Sequence, residues 1–152
     1  MAGATRRPVR PDDEPFLRVL DAGARRALFD GWDDAAAAQM LALQFDARRA
    51  GRQGAREQIV VLAGRPIGTL VTSEGAEGLH ILDLALVPEA RGLGLGSAVL
   101  RELLADGRPA RVEVEASNRA ALRLYERIGF RREGDGDGVT ITLRRASDRA
   151  TD

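Results

Sequence analysis

A strand, a glycine-rich loop and a helix start follow one another in residues 80–104, and this succession constrains the fold more than any other stretch. Residues 80–87 are almost all apolar and contain no helix breaker, which predicts a buried strand. Pro88 ends it, because proline cannot donate a hydrogen bond to a sheet ladder. Apolar residues then recur at helical spacing from Leu95 to Leu103. Between the strand and the helix lie three glycines on alternate residues, Gly92, Gly94 and Gly96.

The backbone of this loop is suited to binding a phosphate. The first N–H groups of a helix have no partner within it, and the helix dipole adds partial positive charge there. Glycine lets the backbone approach an anion closely, and Arg91 adds a positive charge beside the loop. The plain alternative is a flexible turn, but three glycines are more than a turn between two strong elements requires. We therefore interpret residues 91–96 as a phosphate-binding loop.

Three phosphate-binding patterns can be compared with this loop. The dinucleotide fingerprint G-x-G-x-x-G matches Gly92 and Gly94, but Ser97 occupies the position of its third glycine. A P-loop needs Gly-Lys-Ser/Thr, and the chain contains no lysine. The pattern Arg/Gln-x-x-Gly-x-Gly/Ala is satisfied in full by residues 91–96. That pattern resembles the pyrophosphate loop of the GNAT superfamily of N-acetyltransferases, which bind acetyl-coenzyme A (acetyl-CoA).

Composition and charge exclude several classes of protein. The 152 residues are 44% hydrophobic and 30% charged, which is typical of a soluble globular protein. The net charge of zero argues against non-specific nucleic-acid binding. Because the chain has no cysteine and one histidine, we expect no disulfide, no cysteine nucleophile and no metal site. Residues 1–7 lack the apolar core of a signal peptide and no apolar run is long enough for a membrane span, so we expect a cytoplasmic protein without a membrane partner.

Hydrophobic periodicity along the chain predicts a mixed α/β (α+β) fold. Strands are predicted over residues 5–10, 58–63, 66–72, 80–87, 111–116 and 139–143, with a further strand starting at Phe130. Helices are predicted from Pro15, from Ala35, after the glycine loop, and over residues 119–128. The first hairpin and the strand after it form an antiparallel meander, whereas the strand–helix–strand order around the glycine loop predicts a parallel pair. We expect one domain over residues 1–145 and a disordered tail over residues 146–152.

The predicted helix over residues 119–128 carries a second arrangement of interest. Asn118, Ala121 and Tyr125 are spaced so that they share one helix face, which begins at the helix N-terminus. A polar amide and a phenol on that face suit a ligand that runs between two neighbouring strands. The alternative is that Asn118 only caps the helix and Tyr125 is a half-buried core residue, and these residues alone leave both interpretations open.

Residues 118–130 also resemble the second GNAT motif, Asn-x-x-Ala-x-x-Leu-Tyr-x-x-x-Gly-Phe. They match it at Asn118, Ala121, Leu124, Tyr125, Gly129 and Phe130. Two motifs in the expected order are more specific than either one, and the resemblance covers the chain except for its tail. It implies a GNAT-type mixed central sheet, in which an antiparallel meander leads into a parallel, splayed pair, with helices on both faces.

In GNAT enzymes the glycine loop binds the pyrophosphate of the cosubstrate through backbone N–H groups. The end of the preceding strand pairs with the pantetheine arm in the splayed slot, and the residue matching Asn118 contacts the cosubstrate from the other side. The resemblance therefore implies contacts with acetyl-CoA from Leu86, Val87, Arg91, Gly92, Leu93, Gly94, Leu95, Gly96, Ser97 and Asn118. It also implies that Tyr125 lies near the thioester sulfur and acts as the general acid.

The reaction implied by the resemblance moves an acetyl group from acetyl-CoA to a primary amine of a small molecule or a protein. The amine attacks the carbonyl, a tetrahedral oxyanion forms, and a phenol can protonate the leaving thiolate. Direct transfer is favoured because no cysteine can carry an acyl intermediate. Two other functions stay as alternatives, a non-catalytic acyl-CoA sensor on the same fold and a dinucleotide-binding module.

The general base is left open by the sequence. Asp83 is the leading candidate, because an acidic residue inside an apolar strand needs a purpose or a partner. The alternative is that Asp83 pairs with an arginine from a neighbouring helix. His80 has a suitable intrinsic pKa, but it lies near the start of the strand and far from the loop.

The acceptor is also left open. Trp32 and Gln44, on the N-terminal helical pair, are candidates to line its pocket. Acidic residues in two loops are candidates to attract a cationic amine, namely Asp33, Asp34, Asp135 and Asp137. Dimerisation is open as well, and a homodimer is compatible with the sequence.

Overall fold

The computed structural model describes residues 3–134 and 136–147. Its strands are β1 (Thr5–Pro8), β2 (Arg56–Leu62), β3 (Arg65–Gly75), β4 (Gly78–Leu86), β5 (Ala110–Glu115), β6 (Arg131–Glu133) and β7 (Thr140–Arg145). Its helices are α1 (Glu14–Arg25), α2 (Asp34–Ala50), α3 (Leu95–Leu103) and α4 (Arg119–Ile128). Short 3₁₀ turns lie at Pro11–Asp13, Arg26–Phe29 and Pro88–Ala90.

These strands form one mixed sheet in the order β1-β2-β3-β4-β5-β7-β6. The neighbours from β1 to β4 pair antiparallel, β4 and β5 pair parallel, and the remaining neighbours are antiparallel. The parallel pairing runs only from Leu79↔Ala110 to Ile81↔Val112, after which β4 and β5 separate. The predicted α+β fold, with an antiparallel meander and a splayed parallel pair, is therefore confirmed.

Helices cover both faces of the sheet. The face against α3 and α4 carries the larger core, in which Leu70, Leu100 and Leu143 are fully buried. The opposite face packs against α1 and α2, where Leu17 and Phe45 form a smaller cluster with residues of β2. Because side chains alternate between the two faces of a strand, the central strands are apolar on both.

A β-bulge in β4 decides which of its side chains face which helices. Residues 71 and 72 of β3 pair with Asp83 and Ile81, so Leu82 is the extra residue of the bulge. An extra residue reverses the alternation of side chains along a strand. Ile81 before the bulge and Leu84 after it therefore both join the larger core, while Asp83 lies on the face of α1 and α2. This bulge is not among the features predicted from the sequence.

The predicted strand ends need small corrections. β4 begins at Gly78 rather than at residue 80 and leaves out Val87. β1 ends at Pro8 rather than at residue 10, and its last sheet partner is Gln58. The N–H of Val9 still donates to the carbonyl of Glu57 at 3.2 Å, so the missing N–H of Pro8 does not interrupt the pairing with β2.

The bounds of α4 agree with the prediction. The Oδ1 atom of Asn118 accepts a hydrogen bond from the N–H of Ala121 at 3.2 Å, and Gly129 ends the helix at φ 112°. Of the predicted tail, residues 146 and 147 lie in no helix or strand, and residues 148–152 are outside the described ranges. No helix within those ranges is both long and apolar enough to cross a membrane.

Candidate active site

The glycine loop leaves the N-terminus of α3 open to a ligand. Gly94 precedes the helix with φ 77°, and no side chain caps the first turn. Gly92 has φ 75°, and an ideal Cβ at either glycine would have no atom within 4 Å. Glycine is favoured at both positions because the backbone is left-handed there. The N–H groups of Leu95, Gly96 and Ser97 are thus available to the oxygens of a pyrophosphate.

Gly96 connects this loop to the interior of the protein. Its ideal Cβ would lie 3.5 Å from Cδ2 of Leu124 and 3.9 Å from Cδ2 of Leu84, which are ordinary packing distances. Ser97 is buried, whereas Leu93 at the tip of the loop is exposed. The loop therefore presents backbone to solvent at its tip and packs tightly where the helix begins.

The backbone N–H and C=O groups at the end of β4 point alternately toward β3 and toward the gap beside β5. The N–H of Val87 donates to the carbonyl of Ile67 at 2.8 Å, and the carbonyl of Val87 accepts from the N–H of Ala90 at 3.0 Å. Because hydrogen-bonding direction alternates along a strand, Leu84 and Leu86 direct their backbone groups toward the gap. The carbonyl of Leu86 accepts from Nε of Arg91 at 3.0 Å. Both backbone groups of Val87 and the carbonyl of Leu86 are thus engaged, which leaves the backbone of Leu84 and the N–H of Leu86 directed toward the gap.

A cavity of about 340 Å³ opens where β4 and β5 separate. Its walls come from β4 and β5, from α1 and α2 on one face of the sheet, and from α4 on the other. Asn118 lines it at the start of α4, and Leu84 and Leu124 line it beside Gly96. The cavity is therefore lined from both faces of the sheet, and its lining residues Leu84 and Leu124 separate it from Gly96.

Tyr125 lines this cavity from the face of α4. Its ring is buried and packs edge-on against Phe130, with ring centroids 5.3 Å apart. Its hydroxyl group has no hydrogen-bond partner among the described residues. Burial, and to a lesser degree the negative charge of Asp83, raise the pKa of Tyr125 above its ordinary value. The phenol is therefore protonated at neutral pH and able to donate its proton to a ligand.

Asp83 lines the same cavity from the face of α1 and α2. Burial raises the pKa of Asp83, while the positive charges of Arg52, Arg25 and Arg48 oppose that shift. Its carboxylate forms no hydrogen bond or salt bridge with another described residue. The predicted alternative, a direct ion pair with a helix arginine, is thus not formed. Asp83 and Tyr125 approach one gap in the sheet from its two faces.

Comparison with known proteins agrees with the two motifs and with this arrangement. A model of the "Acetyltransferase (GNAT) family" matches residues 20–130. This chain belongs to the GNAT family. An N-acetyltransferase of Methanocaldococcus jannaschii, named as uncharacterized, is 35% identical over 79 residues. That alignment takes in 48% of this chain and 51% of the relative, so the chain spans about half the length of the curated relative that it matches.

Two solved structures share the GNAT fold of this chain over nearly its full length. An acetyltransferase from Thermus thermophilus superposes with a TM-score of 0.72 at 23% identity, covering 95% of this chain and 97% of that one. The PaiA N-acetyltransferase from Thermoplasma acidophilum, in complex with coenzyme A, superposes with a TM-score of 0.73 at 16% identity, covering 95% and 99%. At these identities the likeness concerns the fold.

His80 lies apart from the cavity of this GNAT domain. Its Nδ1 atom lies 3.0 Å from a guanidinium nitrogen of Arg111, and its Nε2 atom lies 3.0 Å from Oε1 of Glu113. Burial, and then the charge of Arg111, lower the pKa of His80, although Glu113 opposes them. A neutral ring that accepts from arginine and donates to glutamate satisfies both contacts. His80, the second candidate base, is therefore engaged by Arg111 and Glu113.

The residues suggested for the acceptor pocket do not line the cavity. Trp32 packs against Phe29, and Gln44 is absent from the cavity wall. Asp33 accepts a hydrogen bond from the N–H of Ala36 as the cap of α2, and Asp34 pairs with Arg26. Asp137 accepts from two backbone N–H groups of its own loop, and Asp135 is outside the described residues.

Four arginines that share the cavity wall with Asp83 are not predicted from the sequence. Arg25 ends α1, and Arg48, Arg49 and Arg52 lie at or just after the C-terminus of α2, all on the cavity wall. Basic residues at helix C-termini have an ordinary explanation in the helix dipole. Only the packing of α1 against α2 brings these two helix ends together above β4.

Proposed function

We propose that the protein is an N-acetyltransferase that moves an acetyl group from acetyl-CoA to a primary amine by direct transfer. The observation that carries the proposal is one cavity with both Asp83 and Tyr125 on its wall, whose lining residues Leu84 and Leu124 also pack against Gly96 of the glycine loop. A base, an acid and an anion-binding helix terminus around one cavity are the parts that acyl transfer to an amine needs.

The cosubstrate fits the residues around the β4–β5 gap. The uncapped start of α3 and the open space beside Gly92 and Gly94 suit the pyrophosphate. The backbone of Leu84 and the N–H of Leu86, which point toward the gap, suit the pantetheine amides, which can pair with them as a further strand. Asn118 borders the gap from α4. The bound cosubstrate supplies the thioester carbonyl and a thiolate leaving group.

The chain's own groups account for the proton movements. Asp83 accepts a proton from the acceptor ammonium, directly or through water, so that the neutral amine nitrogen can bond to the acetyl carbon. The C–S bond breaks with its electron pair on sulfur, and Tyr125 donates the proton that the thiolate takes up. The second proton of the attacking nitrogen then restores the phenol, and the proton on Asp83 passes to solvent. The products are an amide and a free thiol.

The test is steady-state kinetics of Tyr125→Phe with acetyl-CoA and a panel of primary amines. Loss of a general acid lowers kcat by about 10²–10⁴-fold. The Michaelis constant for acetyl-CoA should change little, because the phenol has no structural hydrogen bond and the phenyl ring keeps its packing on Phe130. Release of free thiol and formation of the amide are both measured.

The outcomes separate the enzyme from the sensor. Thiol release that depends on an amine, and that falls in Tyr125→Phe at an unchanged melting temperature, supports the transferase. Acetyl-CoA binding with no amine acetylated by the wild-type protein contradicts it and favours the non-catalytic sensor. Tight binding of a nicotinamide dinucleotide instead of acetyl-CoA favours the dinucleotide module.

A further inference from the structure

The wall of the cavity opposite Tyr125 carries an uneven set of charges. Arg25 and Arg48 both contact the same carboxylate oxygen of Asp21. Arg49 pairs with Glu57 at 3.3 Å. Two guanidinium groups therefore share one carboxylate oxygen on this side of the cavity.

Arg52 lies on the same wall without a partner of its own. Its side chain is half-buried on the cavity wall and forms no hydrogen bond or salt bridge with another described residue. The positive charge of Arg52 acts to lower the pKa of Asp83, yet no salt bridge joins the two. The other cavity carboxylates lie on β5, where Glu113 contacts His80 and Glu115 is exposed. A guanidinium and a carboxylate thus face one cavity, each unpaired.

We infer that the acceptor is a small amino acid-like molecule, whose carboxylate binds Arg52 while its amine faces Asp83. This inference rests on the proposed function and adds the substrate class. A guanidinium presents two parallel N–H donors that match the two oxygens of a carboxylate. A molecule with an ammonium and a carboxylate group pairs both unpaired charges at once. A polyamine has no carboxylate and would leave the guanidinium of Arg52 without a partner.

The body of the acceptor meets apolar side chains. α1 contributes Leu20 and Ala24 to the cavity wall, and Leu28, just after α1, is 60% exposed there. Apolar amino acids such as leucine, methionine and phenylalanine are therefore the probes of choice. Each can be compared with its amide, which keeps the side chain and the amine and removes only the negative charge.

The test measures kcat/KM for these amino acids and for their amides, with wild-type protein and Arg52→Gln. We expect at least one acid to exceed its amide by 10-fold or more. The amine of the amino acid amide has a lower pKa than the amine of the acid and is more often neutral. A larger supply of neutral nucleophile therefore cannot explain a preference for the acid. Arg52→Gln should raise the Michaelis constant of the acid by about 10–100-fold, as expected for losing a charge-assisted hydrogen bond, and leave the amide nearly unchanged. Arg52→Lys should recover part of the loss.

Arg56→Gln is the matched control, because Arg56 is exposed four residues further on and does not line the cavity. Melting temperature and acetyl-CoA binding, unchanged in all variants, verify folding. Amides or polyamines acetylated as well as the acids, or an Arg52→Gln effect equal for acid and amide, would overturn the substrate class while leaving the acetyltransferase intact. Failure to acetylate any amine while acetyl-CoA still binds would overturn the proposed function itself.

Discussion

Asp83, the proposed general base, is buried at a cost in stability. Its carboxylate faces the cavity without a hydrogen bond, and burial raises its pKa. A raised pKa makes the carboxylate a stronger base than one in water. It also means that ionising Asp83 costs more free energy in the folded protein than in the unfolded chain.

Asp83→Asn should lower kcat/KM for the amine by about 10²-fold or more, because the amide cannot accept the proton. In the wild type, activity should fall as the pH drops through the raised pKa of Asp83, and Asp83→Asn should lack that limb. The measurement is the pH dependence of kcat/KM in both proteins. An Asp83→Asn variant with wild-type activity at every pH would remove Asp83 from the mechanism.

The same substitution should make the protein more stable at neutral pH. Between the ordinary pKa of an aspartate, 3.8, and the raised value in the fold, the native state binds more protons, so stability falls as the pH rises through that window. The Asp83→Asn substitution removes this loss of stability, and its stability advantage over the wild type should shrink as the pH falls toward about 4. Urea unfolding at several pH values gives the comparison.

At the scale of elements, two glycines near the site have different physical reasons. Gly68 lies opposite Leu86 in the β3–β4 pair, and an ideal Cβ there would come within 2.3 Å of the carbonyl oxygen of Ala85. Gly94 has open space around it but a left-handed backbone. At Gly68 a side chain would collide with the neighbouring backbone, whereas at Gly94 it is disfavoured because φ is positive.

Gly68→Ala should therefore destabilise the fold by about 3 kcal/mol, since backbone must move to admit the methyl group. Gly94→Ala should cost only about 1 kcal/mol, yet it should weaken acetyl-CoA binding by about 10-fold or more, because the loop backbone shifts at the anion site. Denaturant unfolding and binding titrations separate the two effects. Equal affinity for acetyl-CoA in Gly94→Ala and wild type would contradict the loop assignment.

Gly23→Ala supplies the control for this comparison. Gly23 is exposed in α1, has no atom within 4 Å of its ideal Cβ and does not line the cavity. Alanine there should stabilise the helix by about 0.5–1 kcal/mol and leave ligand binding unchanged.

At the scale of the whole molecule, ligand binding should raise the free energy of unfolding. Acetyl-CoA at about 100 times its dissociation constant should add about 2.7 kcal/mol to the free energy of unfolding. In a chain of this size that corresponds to a rise in melting temperature of about 5–10 °C. Nicotinamide dinucleotides at the same concentration should give no rise, and a rise with them alone would count against the acetyltransferase. Dimerisation and cellular location stay predictions.

The chain's helices and strands are largely readable from local sequence. The apolar run before Pro88, the glycines after it and the cap and stop of α4 are short-range signals, since each depends on what a few neighbouring residues permit. The two motifs identified the loop and Tyr125 for the same reason. Local patterns misplace some strand ends, and Trp32 and Gln44, which they suggest for the acceptor pocket, do not line the cavity.

What the sequence alone determined is the order of elements, the family and the side chains available for chemistry. Tertiary structure decided the rest. The bulge at Leu82 turns Asp83 away from the core, the end of pairing after Ile81 opens the cavity, and the packing of α1 on α2 brings Arg25 and Arg52 to it. Each of these depends on partners distant along the chain, because register, strand separation and helix contacts are properties of pairs and cannot be read from one segment.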